Sequence, residues 1–242
     1  VNQKHNVSAS GGNGKTNYYF SLGYFDQPGL YTWGADSYKR YNVLSNISSQ
    51  VNKWARFYSE TKFSSGKTDY PIGRASNGRQ FIYSEINDFF PTMPYYNLDG
   101  TIANPLVMSM KEGGRSRSEN NDMQIKFGTE LEPVKGWKTN ISYNYGLRNG
   151  NNVQNPKPVW VTAANGIVQN VNQPYTGSVK DFSKETYQLF SAFTSYERSL
   201  SKHYFKAMIG YEQDYNHYEY LYGSKMELIT PEVVSIRSAL GT

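Results

Sequence analysis

Between residues 120 and 133 apolar and polar positions alternate: Met123, Ile125, Phe127, Thr129 and Leu131 are interleaved with Gln124, Lys126, Gly128, Glu130 and Glu132. Successive side chains of an extended chain point to opposite faces, so the segment predicts a strand with one apolar and one polar face. After a turn at 133–137 the alternation resumes, with Ile141, Tyr143, Tyr145 and Leu147 against Asn140, Ser142, Asn144 and Arg148. The same rhythm predicts eight strands, at 4–11, 17–26, 38–51, 55–69, 120–133, 138–149, 183–198 and 203–222. Short turns at 12–16, 52–54, 134–137 and 199–202 close four pairs, and long connections separate the pairs at 27–37, 70–119, 150–182 and from 223 onward. Short turns at one end and long loops at the other predict an all-β, antiparallel transmembrane barrel segment, with periplasmic turns and extracellular loops. Several strands exceed ten residues; soluble sheets average about five or six, whereas a tilted membrane strand needs about nine to eleven.

Facing is legible strand by strand, with one exception. In the third strand Tyr41, Val43, Ile47 and Val51 oppose Asn42, Asn46, Ser48 and Gln50; in the fourth, Phe57, Thr61 and Phe63 oppose Arg56, Tyr58, Glu60 and Lys62. The eighth turns Phe205, Ala207, Ile209 and Tyr211 to the apolar side. In the seventh, Tyr187, Leu189 and Phe193 compete with Phe190, Ala192 and Tyr196, and the pattern leaves its register open. Within 70–119 a helix is expected, capped by Ser76 or Asn77, gathering Phe81, Ile82, Ile86 and Phe89 on one side, and ending before Pro91.

Composition adds a surplus of aromatics: 22 of 242 residues are tyrosine, and only 38% are hydrophobic. A tyrosine ring accepts an apolar zone while its hydroxyl reaches water, which suits a membrane interface. It also suits a secreted all-β module that binds carbohydrate, the alternative reading beside a small passive barrel. No run of about 18 apolar residues predicts a membrane helix. The absence of cysteine excludes disulfides and thiolate metal sites. The net charge of +5 is spread without a basic block, so no nucleic-acid partner is expected.

Four stretches carry a family likeness. "HNVSASGGNGKTNYYFSLGYFDQPGLY" and "YKRYNVLSNISSQVNKW" resemble early barrel strands of SusC-like TonB-dependent outer-membrane transporters. "FFPTMPYYNLDGTIANPL" resembles an extracellular loop of that family, and "ELEPVKGWKTNISYNYG" its next periplasmic hairpin. The resemblance implies a parent barrel of about 22 strands around a plug. Residues 1–242 would be a partial barrel domain of it, since nothing here resembles the plug or the remaining strands. It further implies import of a bulky nutrient, an oligosaccharide or a peptide, in the cell outer membrane. The implied partners are outer-membrane lipids, a SusD-like surface lipoprotein, and the TonB complex acting through the plug.

No enzymatic activity, cofactor or metal site is expected. His5, His203 and His217 lack the spacing of a helical zinc motif, and "SGGNGKT" lacks phosphate-loop spacing and reads as a hairpin turn. The candidate substrate-binding residues are loop aromatics, Trp33, Tyr95, Tyr96 and Trp160. Sugar rings pack their apolar faces on such side chains, although packing the loops together or forming the interfacial girdle is the commoner use of such residues. Trp54 and Trp137 at the short turns read as girdle residues.

Overall fold

The structure, a computed structural model, describes residues 1–73, 82, 86, 87, 90, 92, 94–163, 165–172, 175–230, 233, 235–238 and 240. Eight long strands form one antiparallel sheet: β1 (Gln3–Gly12), β2 (Thr16–Pro28), β3 (Ser37–Asn52), β4 (Ala55–Pro71), β5 (Gly114–Val134), β6 (Trp137–Pro156), β9 (Gly177–Leu200) and β10 (His203–Met226). Each pairs with its sequence neighbours, β6 passing directly to β9. The short β7 (Trp160–Thr162) and β8 (Val168–Asn170) form a separate hairpin inside the connection between them, an element the alternation did not predict. All eight expected strands are present, and most run further toward the long-loop end.

The short turns have local causes. Between β1 and β2, Asn13 Oδ1 accepts from the backbone N–H of Lys15 (3.1 Å) and Thr16 (2.8 Å), and Gly14 takes φ 81°. Between β3 and β4, Asn52 Oδ1 accepts from the Trp54 N–H at 3.0 Å. Gly136, at φ 89°, turns the chain from β5 to β6.

Cross-strand partners share a face, so the register fixes facing across the whole sheet. The row Phe20, Ser45, Thr61, Ile125, Tyr145 runs across one face from β2 to β6 and continues to Gln188 and Tyr215. That face is the apolar one, and it settles β9: Phe190, Ala192 and Tyr196 join it, while Tyr187, Leu189 and Phe193 lie on the polar face. The reason is glycine. Phe193 lies against Gly210 of β10, Tyr58 lies against Gly128 of β5, and Tyr187 is opposite Gly146, so each large inward side chain occupies the space a missing side chain leaves.

On the apolar face the band ends at a row of charges: Asp26, Lys39, Lys67 and Glu119 are successive partners across β2–β5. Lys39 pairs with Asp26 at 3.7 Å and Lys67 with Glu119 at 3.1 Å. From Leu131 to Met123 of β5 is about 27 Å along the strand. At a tilt of about 40° that is about 20 Å of height, close to the apolar band of an outer-membrane barrel.

Among the described residues no second long sheet covers the apolar face, and the buried hydrophobic side chains, such as Ile72, Leu106, Met110 and Val161, lie mostly at the long-loop end. A β-sandwich would bury that face, so the expectation of a secreted carbohydrate-binding sandwich does not describe this fold. Nor do the eight strands close by themselves as a small passive barrel would require: β1 is paired only with β2, and β10 only with β9. The helix expected at 77–90 lies outside the described residues apart from isolated positions, of which Ile82 is fully buried. The α-helix among the described residues is α1 (Pro105–Glu112), and among them no helix is long and apolar enough to cross a membrane.

Candidate functional site at the loop end of the wall

Asn104 begins α1: its side-chain oxygen accepts from the N–H of Leu106 (3.0 Å) and Val107 (3.1 Å), and Pro105 fixes the first helical φ. Leu106 and Met110 then pack with Ile82, and Tyr31 and Trp33 lean on that cluster from the 29–36 loop. The loop is clamped from two sides. Gly34, at φ 70°, approaches the Met110 carbonyl so closely that a Cβ would collide with it. Arg115 of β5 donates to the carbonyls of Gly34 and Ala35 while its Nε lies 2.7 Å from Asp69 Oδ1. The other Asp69 oxygen accepts from Arg117 Nε at 3.1 Å. A bidentate acid shared by two arginines therefore anchors the loop to the wall.

This scaffold brings two of the four candidate aromatics together. The rings of Trp33 and Tyr95 are 5.2 Å apart, and both line a cavity of about 330 Å³ with Leu30, Leu106, Val107 and Met110. Among the described residues no charged side chain lines it. Tyr96 and Trp160 are not among its lining residues; each is 52% exposed, Tyr96 in a bridge to Ile102 and Trp160 on β7 opposite Asn170. The segment carrying the two tyrosines is tied to β7 by Asn97 Nδ2, which donates to the Thr162 carbonyl at 2.9 Å. It turns at Gly100, where the Asp99 carboxylate accepts from the Thr101 hydroxyl (2.7 Å) and backbone N–H (2.9 Å), which holds its pKa below the usual carboxylate range.

Below the rim the polar face carries an ordered ionic row. Arg148 lies 3.2 Å from Asp122 and 3.0 Å from Glu185, linking β5, β6 and β9, and Asn216 of β10 donates to the other Glu185 oxygen at 3.2 Å. Nearer the short turns Arg56 pairs with Glu130 at 3.2 Å, and the Lys126 ammonium stands 5.8 Å from the centre of the Tyr58 ring. The histidines are dispersed: His5 stacks on Tyr24 and His217 lies 3.4 Å from Glu219. Among the described residues no three acidic or histidine side chains are grouped to hold a metal.

Sequence reasoning did not find the Arg115–Asp69 anchor or α1. The Asn104-Pro105 step is a helix-start signal that could have located the helix. The anchor joins residues 46 apart and leaves no local signal.

An open antiparallel sheet with one apolar and one hydrated face, short turns at one end and packed loops at the other is a wall segment of a transmembrane β-barrel. No family model matches the chain, and no curated protein matches it in sequence. Solved structures do. The RagAB peptide transporter matches over 100% of this chain with a TM-score of 0.75 at 18% identity. The RagAB peptide importer matches with TM-scores of 0.74 in its closed-closed state (17% identity) and 0.75 in its open-open state (15% identity), over 99% of this chain in each. This chain spans 27% of the length of the chain matched in each. The fold is thus that of a β-barrel wall segment, shared with the barrel of the RagAB structures.

Proposed function

We propose that the chain forms part of the wall and extracellular rim of an outer-membrane importer for a bulky nutrient, a peptide or an oligosaccharide. The observation that carries this reading is the separation of faces across all eight strands: apolar side chains on one side, an ionic and amide-rich surface on the other. Lipid would cover the first face and the transport lumen would lie against the second. The two free edges require further strands, because unpaired backbone groups are not tolerated in hydrocarbon. A plug engaged by TonB and a SusD-like lipoprotein over the loops complete the scheme, and the uncharged Trp33–Tyr95 cavity would offer cargo an apolar contact at the mouth. The segment carries wall and recognition surface and performs no chemistry.

This segment contributes no cysteine, so a single cysteine placed in it reports topology once any cysteine outside it has been replaced. In cells bearing the intact protein, a membrane-impermeant maleimide should label Leu98→Cys in the long loop. It should reach Lys53→Cys in a short turn only after permeabilisation. Equal labelling of both on intact cells, or recovery of the protein in the soluble fraction, would overturn the proposal.

A further inference from the structure

Among the described residues, charged side chains directly opposite one another across the sheet are complementary, as in Arg56 with Glu130, Glu60 with Lys126 and Asp69 with Arg117, with one exception. The exception is Lys39 of β3, which stands opposite Lys67 of β4. Cβ atoms so placed are about 5 Å apart, and like charges there are destabilising. Both strands lie inside the sheet and are paired on both sides. Each lysine has its own acid on the strand beyond, Lys39 with Asp26 at 3.7 Å and Lys67 with Glu119 at 3.1 Å. Those acids are shared with other donors: Asp26 accepts from the Tyr24 hydroxyl at 3.0 Å, and Glu119 from Asn121 Nδ2 at 3.3 Å. The lysine side chains stay half exposed, at 48% and 55%. An ammonium group has three N–H donors, so each keeps donors for a further acceptor.

We infer that Lys39 and Lys67 seat the phosphate of a membrane lipid, with one phosphate oxygen on each ammonium group. The inference rests on the proposed lipid-facing role of this side of the wall. An anion between the two cations replaces their repulsion by a shared attraction, and a phosphate offers several charged oxygens for charge-assisted hydrogen bonds. The field above the pair favours it too, since Asp69 is a single carboxylate held by two guanidiniums, Arg115 and Arg117. What lies below the pair selects the lipid as the source of the phosphate. On the same face Tyr41 is opposite Ser65, and Val43 opposite Phe63, so an exposed apolar column descends from the lysines into the band. An acyl chain would lie along that column, whereas free phosphate has no use for it. The level agrees as well: the lysines stand at the loop-side limit of the apolar band, where lipid headgroups begin.

The test uses the full-length protein in uncharged detergent, titrated with dioleoyl phosphatidate, with dioleoylglycerol and with inorganic phosphate, and native mass spectrometry counts the bound molecules. Phosphatidate should bind at least about tenfold more tightly than the neutral lipid, and millimolar inorganic phosphate should not displace it. A basic residue at an anionic membrane surface contributes about fivefold, so replacing both lysines by glutamine should weaken phosphatidate binding at least about tenfold. Replacing both by arginine, which keeps the charge, should change it less than about threefold. Lys62→Gln, on the polar face of β4 opposite Gln124, should leave it unchanged. Heat-dependent electrophoretic mobility checks that each variant keeps its barrel, and the single Lys39→Gln variant, expected to weaken binding about fivefold, carries the test if the double variant does not fold. Equal binding of the two lipids, undiminished binding by the glutamine variants, an equal loss in Lys62→Gln, or displacement by inorganic phosphate would each overturn the inference. The cysteine-labelling pattern tells its failure from failure of the importer reading: with the expected labelling and no effect of the lysines, this inference alone falls.

Discussion

Gly210 and Gly128 are where single residues decide the wall. In a strand interior a glycine usually weakens the sheet, but here each accommodates an aromatic ring from the neighbouring strand, Phe193 and Tyr58 respectively. Such pairing recovers packing that glycine alone would forfeit and lets large side chains lie flat on the polar face. A leucine at 210 would have to displace the Phe193 ring. We expect Gly210→Leu to destabilise the intact barrel by about 1–3 kcal/mol, the cost of overpacking, read from urea unfolding in lipid vesicles. Unchanged stability would mean that Phe193 does not rest on that glycine. The same pairs explain why the strand at 183–198 was unreadable in sequence. Leu189 and Phe193 look as apolar as Phe190 and Tyr196, and the glycine that makes room for Phe193 lies across the hairpin, where a local pattern does not reach.

Among the elements, α1 shows how the rim is set. Its start depends on Asn104, which is buried and satisfies two backbone N–H groups that the first turn leaves without partners. Asn104→Ala should cost about 1 kcal/mol of local stability. That corresponds to about fivefold faster hydrogen exchange at the Leu106 and Val107 amides. Asn104→Asp, which keeps the accepting oxygen, should exchange nearly as the parent does; an alanine variant indistinguishable from the parent would remove the cap from the account. In sequence the apolar cluster at 81–89 is the bulkier helical pattern, although Asn-Pro followed by Leu106, Val107 and Met110 carries a start signal of its own. The strand extensions were hidden for a different reason. Segment 114–119 interleaves glycine and serine with arginine and glutamate, and 150–156 is rich in asparagine; both lie beyond the apolar band, so they pair without an apolar face to announce them. The candidate aromatics show the same limit: Trp33 and Tyr95 are 62 residues apart, in loops that the Arg115 anchor and α1 bring together.

At the scale of the molecule, the alternation that was plain in sequence becomes a claim about two solvents. Phe127 lies near the middle of the apolar stretch of β5, flanked across the ladders by Ser59 and Tyr143, and remains 57% exposed with no protein layer over it. Gln124, three residues away, is on the opposite face, paired with Lys62 and Gly146. If the first face meets hydrocarbon, an arginine at 127 carries its charge close to the bilayer midplane, at a cost of about 2–4 kcal/mol. If the second meets a hydrated lumen, an arginine at 124 joins an ionic surface and should change stability by no more than about 0.5 kcal/mol. Urea-titrated folding of the intact protein into vesicles measures both. Equal effects at the two positions would mean that the faces do not separate lipid from water, and that the likeness to RagAB is one of strand order without the same environment. The predicted asymmetry would tie the two-residue period of the sequence directly to the membrane, which neither the period nor the fold alone can do.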